Sequence, residues 1–134
     1  MSNFDNYEEI LYEFLTRFVD KDKDYRPLLF RNVPPTEEEM KAIGDKVYCV
    51  YTVFEGDYGQ QISQPISIYS YGNRAKIHAK KEAIYDALQG AEVIIGKGII
   101  VKFTSGSPFM QDSPDADENF KGYYINMIST IYKA

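Results

Sequence analysis

Apolar residues recur along the chain in two periods, and the switches between them define the predicted elements. Ile10, Leu11, Phe14, Leu15 and Phe18 fall on one side of a 3.6-residue repeat, which predicts a helix from about Asp5 to Val19. Asp5 and Glu8 have the spacing of a capping box, and the run Asp20 to Asp24 (DKDKD) ends the helix in water. A short strand is expected at Leu28 to Val33. Pro34-Pro35 then breaks regular structure, and Thr36 with Glu39 caps a helical turn that stops before Gly44, a surface insertion.

Lys46 to Glu55 (KVYCVYTVFE) is nearly continuous in β-branched and aromatic residues, so it reads as a strand covered on both faces. GDYGQ supplies a turn. Ile62 to Tyr71 is a second strand with Ile62, Ile66 and Ile68 on one side. Pro65 has no N–H to donate, so an edge portion or a bulge is expected there.

A second helix is expected from Arg74 to Gln89, with Asn73 as N-cap and Gly90 as a left-handed C-cap. Its buried side is read as Ile77, Ile84 and Leu88, filled in by Ala75, Ala79, Ala83 and Ala87. The runs VII and IIVKF flank Gly96-Lys97-Gly98 as a kinked strand or a short hairpin. A long polar loop, Thr104 to Asn119, precedes a last strand from Phe120 to Tyr132. This order predicts a single α+β domain over residues 1–134, a mainly antiparallel sheet with two principal helices packed on one face.

Charge narrows the functions open to such a domain. The 134 residues carry a formal charge of −5, and 26% are charged. An acidic chain without a basic stripe is a poor nucleic-acid binder, because phosphate neutralisation supplies most of that affinity. The densest basic stretch, Arg74 to Lys81, lies on the second predicted helix and reads as a solvated face. The N-terminus lacks the basic-then-apolar pattern of a signal peptide, and no apolar run approaches the ~20 residues of a membrane helix. A soluble protein made in the cytoplasm is expected. Tyrosine is abundant, with 12 copies, which suits strands and interfaces.

Candidate chemistry is sparse. Cys49, the only cysteine, lies in an apolar run and reads as a small core residue. His78 is the only histidine, so no histidine cluster exists to bind zinc, and it reads as a partly solvated helix residue. Gly96 to Gly98 lacks the spacing and the following helix of a phosphate loop. Asp115, Asp117 and Asn119 alternate as the first ligands of a calcium loop would. Phe120 and Asn126, however, stand where that loop needs glycine and glutamate. No metal, cofactor or catalytic constellation is therefore expected.

Phe109 and Met110 are apolar residues in a stretch otherwise suited to solvent. They read either as a contact surface or as anchors tucked onto the core. With Tyr58, Asp112, Asp115 and Asp117 they form the candidate protein-contact residues.

The pattern resembles tail terminator and tail-completion proteins of long-tailed bacteriophages. The resemblance is carried by the first amphipathic helix and by QPISIYSYGNRAKIHAKKEAIYDAL, a strand running through a polar turn into an alanine-rich helix. The closing strand ENFKGYYINMISTIYKA also fits. The insertion from Pro34 to Gly44 is not matched by that pattern. The resemblance implies a non-catalytic protein that self-associates into a ring, a hexamer, on the end of the tail tube. It implies contacts with the tail tube protein and a head–tail connector, no sequence-specific nucleic acid, and a place in the virion and in the host cytoplasm during assembly. An acidic ring lumen that lets DNA slide through is a further expectation. The alternative reading is an acidic intracellular binding module, inhibitory or regulatory, that acts as a monomer or dimer on one partner.

Overall fold

A computed structural model describes residues 3–54, 56–72, 74–112 and 120–134. The elements are α1 (Asn3–Thr16), β1 (Leu29–Arg31), α2 (Glu37–Ile43), β2 (Tyr48–Tyr51), β3 (Gln61–Ser63), β4 (Ile66–Tyr71), α3 (Arg74–Gln89), β5 (Glu92–Gly96), β6 (Ile99–Asp112) and β7 (Phe120–Lys133). The fold is α+β. One sheet has the order β1-β2-β4-β7-β6-β5, with β3 also paired to β7. Among the described residues β1 and β2 are the only pair to run parallel; the other pairs are antiparallel.

α1 and α3 pack on the same face of the sheet. α1 buries Tyr7, Ile10, Leu11, Phe14 and Leu15, with Phe18 just beyond its end, against Cys49, Ile68, Val101, Phe103, Ile125 and Met127. Phe14 stacks on Phe103 with ring centroids 4.5 Å apart. α1 begins at Asn3, so Asp5 lies inside the helix and is not its N-cap. Its regular turns stop at Thr16. Phe18 nevertheless stays buried, because its N–H still bonds to the Leu15 carbonyl.

Asp20 does not end the helix in water as expected. Its carboxylate accepts from the Val47 N–H at 2.7 Å and faces Lys76 at 2.8 Å and Lys80 at 3.9 Å. Burial alone would raise its pKa. The Lys76 ammonium, the Val47 N–H and Lys80 outweigh that and hold the carboxyl below its ordinary range. The basic stretch of α3 is thus partly a clasp onto the end of α1. α3 buries Ile77, Ile84 and Leu88 as expected, but Ala75, Ala79 and Ala83 are exposed and only Ala87 is half-buried. At about 100° per residue, Ala75 and Ala79 each stand two positions, roughly 200°, from Ile77. The helix ends through Ala91, which takes the left-handed conformation (φ 53°) in place of the expected Gly90.

β3 and β4 hold one continuous register along β7, from Gln61 opposite Thr130 to Tyr71 opposite Phe120. They are the single strand expected from Ile62 to Tyr71, interrupted where Pro65 has no N–H to give. β2 leaves β4 at this break, which is why it is shorter than Lys46 to Glu55. Beyond it the Gln64 side chain replaces the ladder. Its Nε2 donates to the Thr52 carbonyl at 2.6 Å, and its Oε1 accepts from the Phe54 N–H at 3.4 Å.

The two apolar runs around Gly96-Lys97-Gly98 form the hairpin of the two alternatives. Lys97 (φ 56°) and Gly98 (φ 79°) both take the positive φ that its two-residue turn requires. The expected polar loop from Thr104 is instead strand as far as Asp112. Three extra residues enter β6 between Ser105 and Met110 as an irregularity, after which pairing with β7 resumes at Ile125.

Candidate functional site

Side-chain alternation gives the sheet two unlike faces. One is the helix-covered core face. The other collects Tyr48 and Val50 from β2, Ser67, Tyr69 and Tyr71 from β4, and Tyr124, Asn126, Ile128, Thr130 and Tyr132 from β7. It continues through Ile100, Lys102 and Thr104 of β6 to Val93 and Ile95 of β5. Among the described strand residues, Lys102 is the only charged one on this second face. In a chain with 26% charged residues, an ordinary solvated face would hold several.

α2 covers one end of this face. The capping box is formed: the Glu39 N–H donates to Thr36 Oγ1 at 3.2 Å, and the Thr36 N–H donates to Glu39 Oε1 at 3.1 Å. Gly44 (φ 63°) closes the helix. Ile43 packs with Leu28 and Tyr48 in a small second core, against Phe30, Val50 and Tyr69. The insertion is thus more than surface decoration, since among the described residues it supplies the only helical cover on that side. Burial, with Tyr69 alongside, pushes the Tyr48 phenol up to about 12. An apolar groove of about 320 Å³ lies beside α2, between Pro27, Leu28, Phe30, Ala42 and Ile43, with Lys23, Arg26 and Lys46 at its edge.

Among the described residues no helix covers the other end, over β7, β6 and β5. There Ile95 is 73% exposed, Val93 52% and Tyr132 42%, and Ile95, Ile100 and Tyr132 lie side by side across three strands. β5 is also the last strand of the sheet. The tight turn makes Gly96 and Ile99 a hydrogen-bonded pair, so alternation directs the backbone N–H and C=O of Val93 and Ile95 away from β6. An open edge and an apolar face meet at the same two residues. Such edges template pairing with another chain, and monomeric proteins usually blunt them with charge. The composition, rich in tyrosine and isoleucine with Lys102 as its one charge among the described residues, is that of an interface centre.

The contact residues expected from sequence do not assemble into one site. Tyr58 is 39% exposed in the turn before β3, with Lys133 Nζ 5.1 Å from its ring centroid, near the end of β7. Met110 and Asp112 lie opposite Ile125 and Tyr123, near the start of β7, about 25 Å away at ~3.3 Å per residue. Of the two readings of Phe109 and Met110, the anchored one describes their position. Both are half-buried against the main core, and Phe109 meets Tyr85 of α3 edge-on at 5.0 Å. Asp112 is exposed. Asp115 and Asp117, with Asn119 of the calcium-like run and the expected N-cap Asn73, lie outside the described residues.

Comparison with protein-family models, curated proteins and solved structures finds no match to this chain. Among the described residues no three His, Cys, Asp or Glu side chains converge as metal ligands, and no helix is long and apolar enough to cross a membrane. Cys49 is fully buried, and burial pushes its thiol pKa up. His78 is exposed, with Nε2 3.7 Å from Glu82. Two carboxylates of α1 are engaged at opposite ends of the sheet: Glu8 pairs with Arg31, and Glu9 with Lys97 at 2.9 Å.

The open face escaped the sequence reading although its signal is present. From Gly122 to Tyr132 the closing strand holds no charged residue at all, on either alternating set. A strand with one wet face would show charges on one of them.

Proposed function

We propose that this chain is a structural assembly protein of a long-tailed bacteriophage or prophage. In this reading its copies close as a ring, a hexamer, on the end of the tail tube, stop tube growth and present a surface for the head–tail connector. It acts in the virion tail and, during assembly, in the host cytoplasm. The observation that carries the reading is the sheet face left open over β7, β6 and β5, whose described residues carry a single charge, Lys102, joined to the outer edge of β5. A surface of this composition is built for another protein rather than for water or a small molecule. The element order supports the reading too: the amphipathic α1, the strands ending in β4, the helix α3 leading into the short β5 and the long closing β7 fit the resemblance, while α2 lies in the insertion that it does not match.

Light scattering coupled to size-exclusion chromatography tests it. The expected result is a concentration-dependent oligomer built from 15.4 kDa subunits, and binding of that oligomer to the ends of assembled tail tubes. A chain that stays monomeric and ignores tube ends would exclude the ring. If such a monomer formed a stable one-to-one complex with an unlike protein, the inhibitory or regulatory module would take its place.

A further inference from the structure

We infer that, within the ring, α2 of one copy docks on the open sheet face of the next, with Glu37 and Glu38 reaching Lys102. This rests on the ring reading and names its self-contact. The first ground is placement. The sheet order puts α2 at the β1-β2-β4 end and the open face at the β7-β6-β5 end, on the same side of one sheet. Two unlike surfaces at opposite ends of a subunit are what a head-to-tail contact needs.

The second ground is that α2 is underused by its own subunit. It is seven residues long, and only Ile43 among them is buried. So short a helix has little intrinsic stability and depends on packing. Met40 (36% exposed) and, in the segment leading into it, Val33 (67%) remain open to solvent, and Met40 lines a shallow apolar groove with Ile43, Tyr48 and Tyr71.

The third ground is charge. Glu37, Glu38 and Glu39 form the first turn of α2, and Glu39 is occupied by the capping box. Glu37 and Glu38 make no ion pair among the described residues. Lys102 makes none either, and it stands at the middle of the open face between Val93 and Thr130. An acidic helix end with apolar neighbours thus complements a lone lysine among isoleucine, valine and tyrosine. Pairing of two β5 edges about a two-fold axis would leave both α2 and Lys102 without partners, so the structure favours the head-to-tail contact.

Introduced cysteines distinguish the arrangements, because the native Cys49 is buried and inert. Full-length Glu38→Cys and Lys102→Cys proteins are mixed under mild oxidation, alongside each variant alone. The expected result is a disulfide-linked dimer in the mixture and none in either single sample. In parallel, Lys102→Glu is expected to weaken association on the order of tenfold, and exchanging the charges by adding Glu37→Lys and Glu38→Lys to the same chain is expected to restore it. A wild-type oligomer whose Lys102→Cys form links to itself, or whose mixture stays unlinked, overturns this contact and leaves the ring reading standing. A chain monomeric at millimolar concentration also overturns it, and the ring reading is then decided separately by binding to tube ends.

Discussion

The Tyr7 hydroxyl lies 2.9 Å from Gln64 Oε1 and donates to it, joining α1 to the break between β3 and β4. Ser129 Oγ lies 2.9 Å from the same hydroxyl. Gln64 and Ser129 are almost fully buried, and among the described residues no buried side-chain polar atom lacks a partner. Proline removed a ladder bond at position 65, and the chain answers with a buried side-chain network that also fixes the helix on the sheet. Burial pushes the Tyr7 phenol pKa well up, so the group stays neutral and able to donate across the ordinary pH range.

Tyr7→Phe keeps the ring, leaves the Gln64 oxygen with only the longer bond from the Phe54 N–H at 3.4 Å, and takes the hydroxyl partner from Ser129. The expected loss is about 1–3 kcal/mol of folding stability, read from urea unfolding with an unchanged slope. A loss below about 0.5 kcal/mol would mean that water or a rotated Gln64 replaces the hydroxyl, and the network would not be holding α1 in place.

Asp20 gives a prediction in pH. Its folded-state pKa is depressed, so its contribution is present above the unfolded value near 3.9 and is lost as pH falls through the folded value. Asp20→Asn is expected to cost about 1–2 kcal/mol at pH 7. The difference between the two proteins should shrink as pH drops below about 4, where the wild-type carboxyl gains its proton. A gap that holds constant between pH 7 and pH 3 would assign the cost to packing, not to the Lys76 and Lys80 charges.

What the sequence disclosed follows the range of the interactions involved. α3 was legible to its end residues because its apolar positions, Ile77, Ile84 and Leu88, lie within a few turns of one another. The capping box of Thr36 and Glu39 was legible for the same reason. β6 was not legible past Phe103. Gly106 and Pro108 carry turn chemistry, and only the β7 strand, contributed by residues further along the chain, holds that segment extended. The role of α2 was hidden likewise, since Ile43 meets its partners Leu28 and Tyr48 only after the sheet has formed. Nor does the expectation of an acidic ring lumen follow from net charge alone, because the carboxylates are unevenly distributed. They crowd α1 and the first turn of α2 and avoid the open sheet face.

Phe109 was a candidate contact residue, and its surroundings change what its substitution should do. The ring packs against Tyr85 and the main core from within the β6 irregularity. Phe109→Asp places a carboxylate in a half-buried apolar site, so a folding cost of about 2 kcal/mol or more is expected before any effect on assembly. Thermal unfolding of the isolated chain measures this. An unchanged midpoint together with lost oligomerisation would return Phe109 to the contact surface.

Ile95→Asp is the complementary experiment. Ile95 is 73% exposed on a strand edge, and its side chain stabilises little within the subunit, so the folding change is expected within about 0.5 kcal/mol. The same carboxylate would sit beside Ile100 and Tyr132 on the open face, where docking a second protein surface would have to desolvate it. Self-association should therefore be lost while circular dichroism and unfolding stay at wild-type values. Phe109→Asp and Ile95→Asp introduce the same charge on opposite faces of one sheet, so together they separate the face that holds the subunit from the face that meets its neighbour. Retained oligomers in Ile95→Asp would remove the open face from the assembly, since no rearrangement of a docked interface accommodates an unpaired buried carboxylate at negligible cost.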